Sequence, residues 1–148
     1  MAEAMSPELC CRLVEKAADA FLFADTEGII RLWNASAEAM FGYPAEEALG
    51  QSLDLIIGER LRARHWEGWG QVMATGNSRY GSRDLLAVPA VRKDGSQISC
   101  EFTISMIKDE NGRLLGLGAI LRDITARRKE EKALKERLAE LERAAAGA

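Results

Sequence analysis

The chain has 148 residues, which is enough for one domain with a short extension but not for two full hydrophobic cores. Hydrophobic residues make up 47% of it and charged residues 29%, an ordinary globular composition that argues against disorder. The formal net charge of −3 is small and the two signs are interspersed, so the clustered basic face of a nucleic-acid-binding protein is not expected.

The sequence also favours a cytoplasmic location without membrane contact. No run approaches the ~20 apolar residues that span a bilayer. Glu3 stands where a secretory signal would carry Lys or Arg, and no apolar run follows it. Three cysteines (Cys10, Cys11 and Cys100) cannot form an even set of disulfides, which fits a reducing compartment.

The first half of the chain predicts a helix, a hairpin and then several helices. Ser6 as N-cap, Pro7 at the first position and apolar residues at helical spacing predict a helix over 7–18. Two strands, over 20–24 and 29–34, flank a turn that ends in Gly28 and form a hairpin. Helical segments follow over 35–41, 44–49 and 59–75, with a brief segment over 53–57 before the last.

The second half predicts three strands and one long helix. The strands run over 80–92, 97–107 and 114–122, and the helix over 126–146. Gly95 and Gly112 lie in the turns between the strands and accept a positive φ there. Two hairpin strands at the start and a three-stranded meander at the end predict an α+β fold, with one antiparallel sheet covered by the central helices.

Several short motifs, taken together and in order, resemble the PAS (sensory-box) family over about 18–125. They are Asp25-Thr26-Glu27-Gly28-Ile29-Ile30, Trp33-Asn34, Phe41-Gly42-Tyr43, Arg92-Lys93-Asp94-Gly95-Ser96, Asp109-Glu110-Asn111-Gly112 and Arg122-Asp123-Ile124-Thr125. The resemblance implies a five-stranded antiparallel sheet whose helices enclose a ligand or cofactor pocket. It also implies an input or dimerisation module of two-component-type signal transduction.

This resemblance divides the chain into three parts. Residues 1–18 are predicted as an N-terminal flanking helix, 19–125 as the PAS sensory domain and 126–148 as a C-terminal helical linker. The sequence shows no nucleophile elbow, phosphate-binding glycine loop or zinc-protease motif, so an enzyme is not expected.

The helix predicted over 59–75 carries His65, the single histidine of the chain. One face of this helix is predicted to hold Leu61, His65, Trp69, Val72 and Met73. A neutral imidazole among apolar side chains is a competent axial ligand for haem iron. Ile104 and Leu117, on the predicted strands, complete the expected lining of the pocket.

The segment Arg62-Ala63-Arg64-His65 resembles the one that carries the proximal histidine in rhizobial oxygen-sensor haem PAS domains. Those sensors also place an arginine on the following strand, where it contacts bound oxygen. The matching position here is Leu85 or Leu86, which makes stable oxygen binding doubtful. The resemblance then implies a haem that reports carbon monoxide, nitric oxide or redox state.

Other uses of the pocket remain open. His65 can equally pack inside a pocket without haem, which gives a cofactor-free protein-interaction domain. Residues 50–55 lack the cysteine of the photoreceptor branch of the family, which excludes a flavin photoadduct but not non-covalent flavin. Trp33, Trp66 and Trp69 could line a flavin site or pack in the core. A small organic ligand is a further alternative.

The last strand leads directly into a charged helix, which is the predicted output element. Asp123, Ile124 and Thr125 form the junction, where Thr125 or the Asp123 carboxylate can cap the helix. Leucines at coiled-coil spacing follow, but they span barely two heptads. We therefore expect a homodimer in which the N-terminal helix assists, with contacts from Leu9, Leu13, Leu134, Leu138 and Leu141. An effector domain or partner protein is the expected receiver of the signal.

Overall fold

A computed structural model describes residues 4–81 and 83–147. The helices are α1 (Pro7–Lys16), α2 (Ala35–Phe41), α3 (Ala45–Ala48), α4 (Glu59–Thr75) and α5 (Thr125–Ala146), and a short 3-10 segment spans Leu53–Ile56. The strands are β1 (Ala20–Asp25), β2 (Ile30–Trp33), β3 (Leu86–Val91), β4 (Gln97–Lys108) and β5 (Leu114–Asp123). In this part of the chain no helix is both long and apolar enough to cross a bilayer.

The strands form one sheet in the order β2-β1-β5-β4-β3, and every neighbouring pair is antiparallel. The first and last strands of the chain, β1 and β5, therefore pair with each other in the middle of the sheet. The predicted α+β fold with a five-stranded antiparallel sheet is confirmed.

The largest difference from the predicted elements concerns β3, which begins at Leu86 rather than at residue 80. Gly76 ends α4 with a φ of +70°, and the residues after it hydrogen-bond locally instead of joining the sheet. Ser78 Oγ accepts from the amide of Tyr80, and Asp84 Oδ2 accepts from the amide of Gly81. Such side-chain acceptors bind backbone amides that would otherwise pair with a neighbouring strand, so residues 80–81 and 83–85 lie outside β3.

The hydrophobic core lies between the sheet and the segments α2, α3 and Leu53–Ile56, and all five strands contribute buried residues to it, among them Ala90 of β3 and Cys100 of β4. Trp33 is 4% exposed, and its ring centroid lies 5.4 Å from that of the fully buried Phe41. Its indole nitrogen donates to the backbone oxygen of Tyr43 at 2.9 Å, so the buried N–H has a partner. Trp33 is thus a core residue and does not line a flavin site.

Asn34 is the one fully buried polar residue in the described part of the core. Its Oδ1 accepts from the amides of Phe21 and Ala37, and its Nδ2 donates to the carbonyls of Val14 and Asp19. The side chain caps α2, and it also joins α1 to the start of β1. Both donors and both acceptor positions of this amide are hydrogen-bonded, so its burial leaves no polar atom unsatisfied.

Helix α4 is attached to the rest of the domain differently from the other elements. None of its residues is fully buried, and it is attached through two indole rings and through the Arg62 guanidinium, which donates to the carbonyls of Ile57 and Asp54. Trp66 packs on Gly28, where a Cβ would overlap the ring, and donates to Asp54 Oδ1 at 2.7 Å. Trp69 donates to the carbonyl of Thr26 at 3.0 Å. The β1–β2 turn therefore supports the middle of α4, and a space remains between this helix and the sheet.

Candidate functional site

A cavity of about 1020 Å³ lies between α4 and the inner face of the sheet. This volume is at the upper end of the range of small-molecule sites. Its floor is apolar and comes from β1, β3, β4 and β5, with Phe102, Ile104 and Leu117 among the lining residues. Phe102 and Ile104 are only half-buried although they point inward, because α4 does not cover them. The sheet therefore offers an uncovered apolar surface inside the domain.

The structure brings most of the predicted site residues to this cavity. Those that line it are Leu61, His65, Trp69, Val72, Ile104 and Leu117. Met73, Leu85 and Leu86 do not line it. Met73 is turned away from its neighbour Val72 by the helix geometry, and Leu85 is 62% exposed because it precedes the first residue of β3.

The prediction missed several lining residues. Phe102 and Cys100 share the alternation of Ile104 along β4, and this period-2 signal could have identified them. The polar rim includes Arg64 of α4, and also Arg79 and Tyr80 of the loop that follows α4. Residues of this loop follow no periodic pattern that could have identified them.

His65 lies in the α4 wall of the cavity beside two indole rings. Its ring centroid is 4.5 Å from that of Trp66 and 5.8 Å from that of Trp69. Its Nδ1 is buried and has no hydrogen-bond partner within the described residues. Burial lowers the pKa of His65, and the Asp54 carboxylate opposes this only in part. The imidazole is therefore neutral near neutral pH and keeps a nitrogen lone pair for a ligand.

The residues of the cavity fit a haem. The cavity supplies a neutral imidazole with an unpartnered nitrogen, a wide apolar floor and arginine side chains at the rim. Haem iron takes histidine as an axial ligand, and an apolar surround suits the porphyrin. His65 is the residue that would bind the iron.

The burial of His65 predicts a pH effect on the stability of the ligand-free protein. Because the folded pKa is lowered, the contribution of His65 is fully present above its unfolded pKa of about 6.5 and is lost as the pH falls from there through the lower folded pKa. Between about pH 7.5 and 5.5 we expect wild type to lose more unfolding free energy than His65→Gln, since histidine is the side chain that ordinarily titrates there. Urea denaturation at each pH measures this, and equal losses would contradict it.

The cysteines lie in two separate places. Cys100 is buried in β4 at the cavity floor, and burial raises the pKa of its thiol to about 12. A thiol with such a pKa is a poor nucleophile near neutral pH. Cys10 and Cys11 lie on α1. Cys100 is therefore a packing residue.

The junction between β5 and α5 is fastened to β4. Ile124 is buried, and its amide donates to the carbonyl of Ser99 at 2.9 Å. The Thr125 hydroxyl donates to Asp123 Oδ1 at 2.6 Å and accepts from the Ser99 amide at 2.9 Å. Asp123 also accepts from the amide of Thr125, the first residue of α5. The predicted side-chain cap is absent: Ile124 is the N-cap of α5, Asp123 accepts from the Thr125 amide, and the Thr125 hydroxyl bonds to β4.

Two ion pairs flank this junction on the outer face of the sheet. Arg122, near the end of β5, forms two hydrogen bonds with the Asp19 carboxylate, at 3.0 and 2.9 Å. Arg127, in the first turn of α5, pairs with Glu101 of β4 at 3.1 Å. The start of β1 and the start of α5 are thus both held to the same region of the sheet.

The leucines predicted to form a dimer are exposed in the single chain. Leu9 and Leu13 on α1 are 56% and 63% exposed. On α5, the exposed fractions are 69% for Leu134, 57% for Leu138 and 55% for Leu141. Dimerisation through these residues stays a prediction.

The fold and the cavity define the class of protein, which is a small sensory and signalling domain. A family model described as "PAS fold" matches residues 14–129. The chain belongs to the PAS family, and the resemblance seen in its motifs is confirmed. A solved PAS domain of a Colwellia psychrerythraea protein has a TM-score of 0.69 at 23% identity, covering 80% of this chain and 97% of that one, which shows the shared fold.

The curated relatives are longer proteins. An uncharacterized protein of Azorhizobium caulinodans is 35% identical over 86% of this chain and 17% of its own length. Sensor protein FixL of Bradyrhizobium diazoefficiens is 27% identical over 83% of the chain and 24% of its own. Oxygen sensor protein DosP of Escherichia coli is 33% identical over 64% of the chain and 11% of its own. The chain thus spans less than a quarter of the length of each of these relatives.

Proposed function

We propose that this chain is a PAS sensory module that binds a small ligand between α4 and the sheet and passes the bound state to α5. The observation that supports this most is the cavity itself. Its apolar floor is uncovered, and the buried Nδ1 of His65 has no partner among the described residues. A buried polar atom without a hydrogen bond is destabilising by about 1–3 kcal/mol, so the stability of the ligand-free fold does not explain why His65 lies in this wall.

Haem is the ligand that this cavity favours, with His65 on the iron. When bound, the iron would supply a binding position for a diatomic gas or a redox centre. Leu85 and Leu86 are the residues that match the oxygen-contacting arginine of the resembled sensors, and neither lines the cavity. This supports a sensor of carbon monoxide, nitric oxide or redox state rather than of stably bound oxygen. Two relatives are named as sensor proteins, one of them as an oxygen sensor.

The route from ligand to output would follow β4 and β5. Ile104 on β4 and Leu117 on β5 contribute to the cavity floor, and β5 continues without a break to Asp123. A ligand that shifts these strands moves Ser99 and Asp123, which both hold the first turn of α5. We propose that α5, with α1, mediates a homodimer in the cytoplasm and acts on an effector domain or partner protein rather than catalysing a reaction.

An absorption spectrum of the purified protein, before and after addition of hemin, tests the haem proposal. We expect a Soret band that is lost in His65→Ala and kept in Met73→Ala, a matched change on the same helix that does not line the cavity. A protein that takes up no haem would exclude haem as the ligand. Flavin absorbance in the blue would replace haem with flavin, and a domain that binds neither would favour a colourless ligand or a cofactor-free interaction domain.

The proposed dimer is tested by light scattering of the full chain and of a chain ending at residue 125. We expect the full chain to be dimeric and the shorter chain to be weaker in association, because it lacks the leucines of α5. A monomer in both cases would remove dimerisation from the proposal.

A further inference from the structure

The rim of the cavity carries two cations and one anion. Arg64 and Glu67 belong to α4, and Arg79 to the loop that follows it. None of these three side chains forms a salt bridge within the described residues, although other arginines of the chain do. The local charge at the rim is therefore positive, whereas the chain as a whole carries −3.

Arg79 is held at the rim by its neighbour Tyr80, which also lines the cavity. The guanidinium carbon lies 5.0 Å from the centre of the Tyr80 ring, and Nη2 donates to the Tyr80 hydroxyl at 2.8 Å. A cation held above an aromatic ring loses less conformational freedom when it binds an acceptor. Most N–H donors of this guanidinium remain for another acceptor, and carboxylates match their geometry.

The surface below these cations is apolar. Phe102 and Ile104 lie half-buried on the floor, and Val72 lies on the wall formed by α4. A ligand that covers this surface must itself be largely apolar, since burying polar groups there without partners is unfavourable. The cavity thus joins an apolar floor to a cationic rim.

We propose that the cavity takes an amphipathic acid, with its apolar body on the apolar floor and its acidic end at the cationic rim that Arg64 and Arg79 line. The inference rests on the proposed function, which requires that the cavity binds a ligand, and it adds the chemical class of that ligand. Haem, with acidic groups on one edge, belongs to this class, as do aromatic and aliphatic carboxylic acids. A neutral apolar molecule of the same size would bind less tightly.

Two fluorescent probes with the same aromatic body test the proposal. These are 8-anilinonaphthalene-1-sulfonate, which is anionic, and N-phenyl-1-naphthylamine, which is neutral. We expect the unmodified chain to bind the anionic probe roughly fivefold more tightly, as a partly exposed ion pair allows, and to lose that preference at high salt. In Arg64→Gln/Arg79→Gln the preference should vanish while the affinity for the neutral probe stays the same.

Arg60→Gln is the matched control, because Arg60 is exposed on the same helix and does not line the cavity. It changes the net charge by one and should keep the preference. Equal binding of the two probes by wild type, or an equal loss of preference in Arg60→Gln, would overturn the acidic class and leave the proposed function standing. Failure of both probes to bind would instead count against the ligand-binding cavity, and with it against both proposals.

Discussion

Asn34→Asp is expected to lower the free energy of unfolding by about 3 kcal/mol at neutral pH, because two buried donors are replaced by an acceptor. In wild type, Nδ2 lies 2.7 Å from the carbonyl of Val14 and 3.1 Å from that of Asp19. A carboxylate oxygen in that place would face two carbonyl oxygens with no donor between them. The hydrogen bonds to Oδ1, which cap α2, would be kept. The lost free energy of unfolding therefore measures the two Nδ2 hydrogen bonds that connect α1 to the start of β1.

Acidification should restore part of this loss. Burial beside two carbonyls favours the neutral carboxylic acid, whose O–H can donate to Val14. The deficit of the variant relative to wild type should therefore shrink as the pH falls to about 4, near the ordinary pKa of aspartate. Urea unfolding from neutral to acidic pH checks this, with Asn111→Asp in an exposed turn as the matched control. A deficit that is constant with pH would contradict the assigned contacts.

Gly116→Ala is expected to destabilise the domain by about 3 kcal/mol or more, through backbone strain and overlap in the middle of the sheet. Gly116 has a φ of +155° and pairs with Asp25 on one side and Ile107 on the other. A Cβ there would overlap the carbonyl oxygen of Ala24 and lie 2.7 Å from Cζ of Phe23. Neither β1 nor β5 can move away, because each is bonded to the other.

Gly118→Ala is the matched control, two residues along the same strand. Its Cβ would meet nothing closer than 3.7 Å, and we expect a change of less than about 1 kcal/mol. The comparison uses urea denaturation, or the soluble fraction after expression if Gly116→Ala does not fold. Two variants of equal stability would contradict the close approach of β1 and β5 at Gly116.

The features that local sequence determines were predictable. The turns at Gly28, Gly95 and Gly112 have the positive φ that their hairpins require. The two hairpin strands at the start, the three-stranded meander at the end and the helices between them together predicted the sheet and its cover. The PAS family followed from these motifs in order.

Features that depend on distant residues were not predictable. Asn34 donates to the carbonyls of Asp19 and Val14, which are 15 and 20 positions away along the chain. No local sequence pattern predicts such partners. The cavity rim depends on a loop in which side-chain acceptors outcompete strand pairing, so Arg79 and Tyr80 were missed. His65 was placed on the correct face of α4, but the gap between this helix and the sheet arises from the two indole supports, which no periodicity encodes.

The bonds of Asn34 bear on where the cooperative folding unit begins. The sequence placed the boundary after residue 18 and treated α1 as a flank, and α1 indeed has no buried residue. Yet the carbonyl of Val14 completes the partners of the most deeply buried polar side chain described. A chain shortened to start at β1 would lack both Val14 and Asp19 and would leave both hydrogens of this buried amide without an acceptor. A perturbation of α1 would thus weaken the hydrogen bonds of Asn34 and destabilise the start of β1. The N-terminal helix is therefore energetically part of the domain.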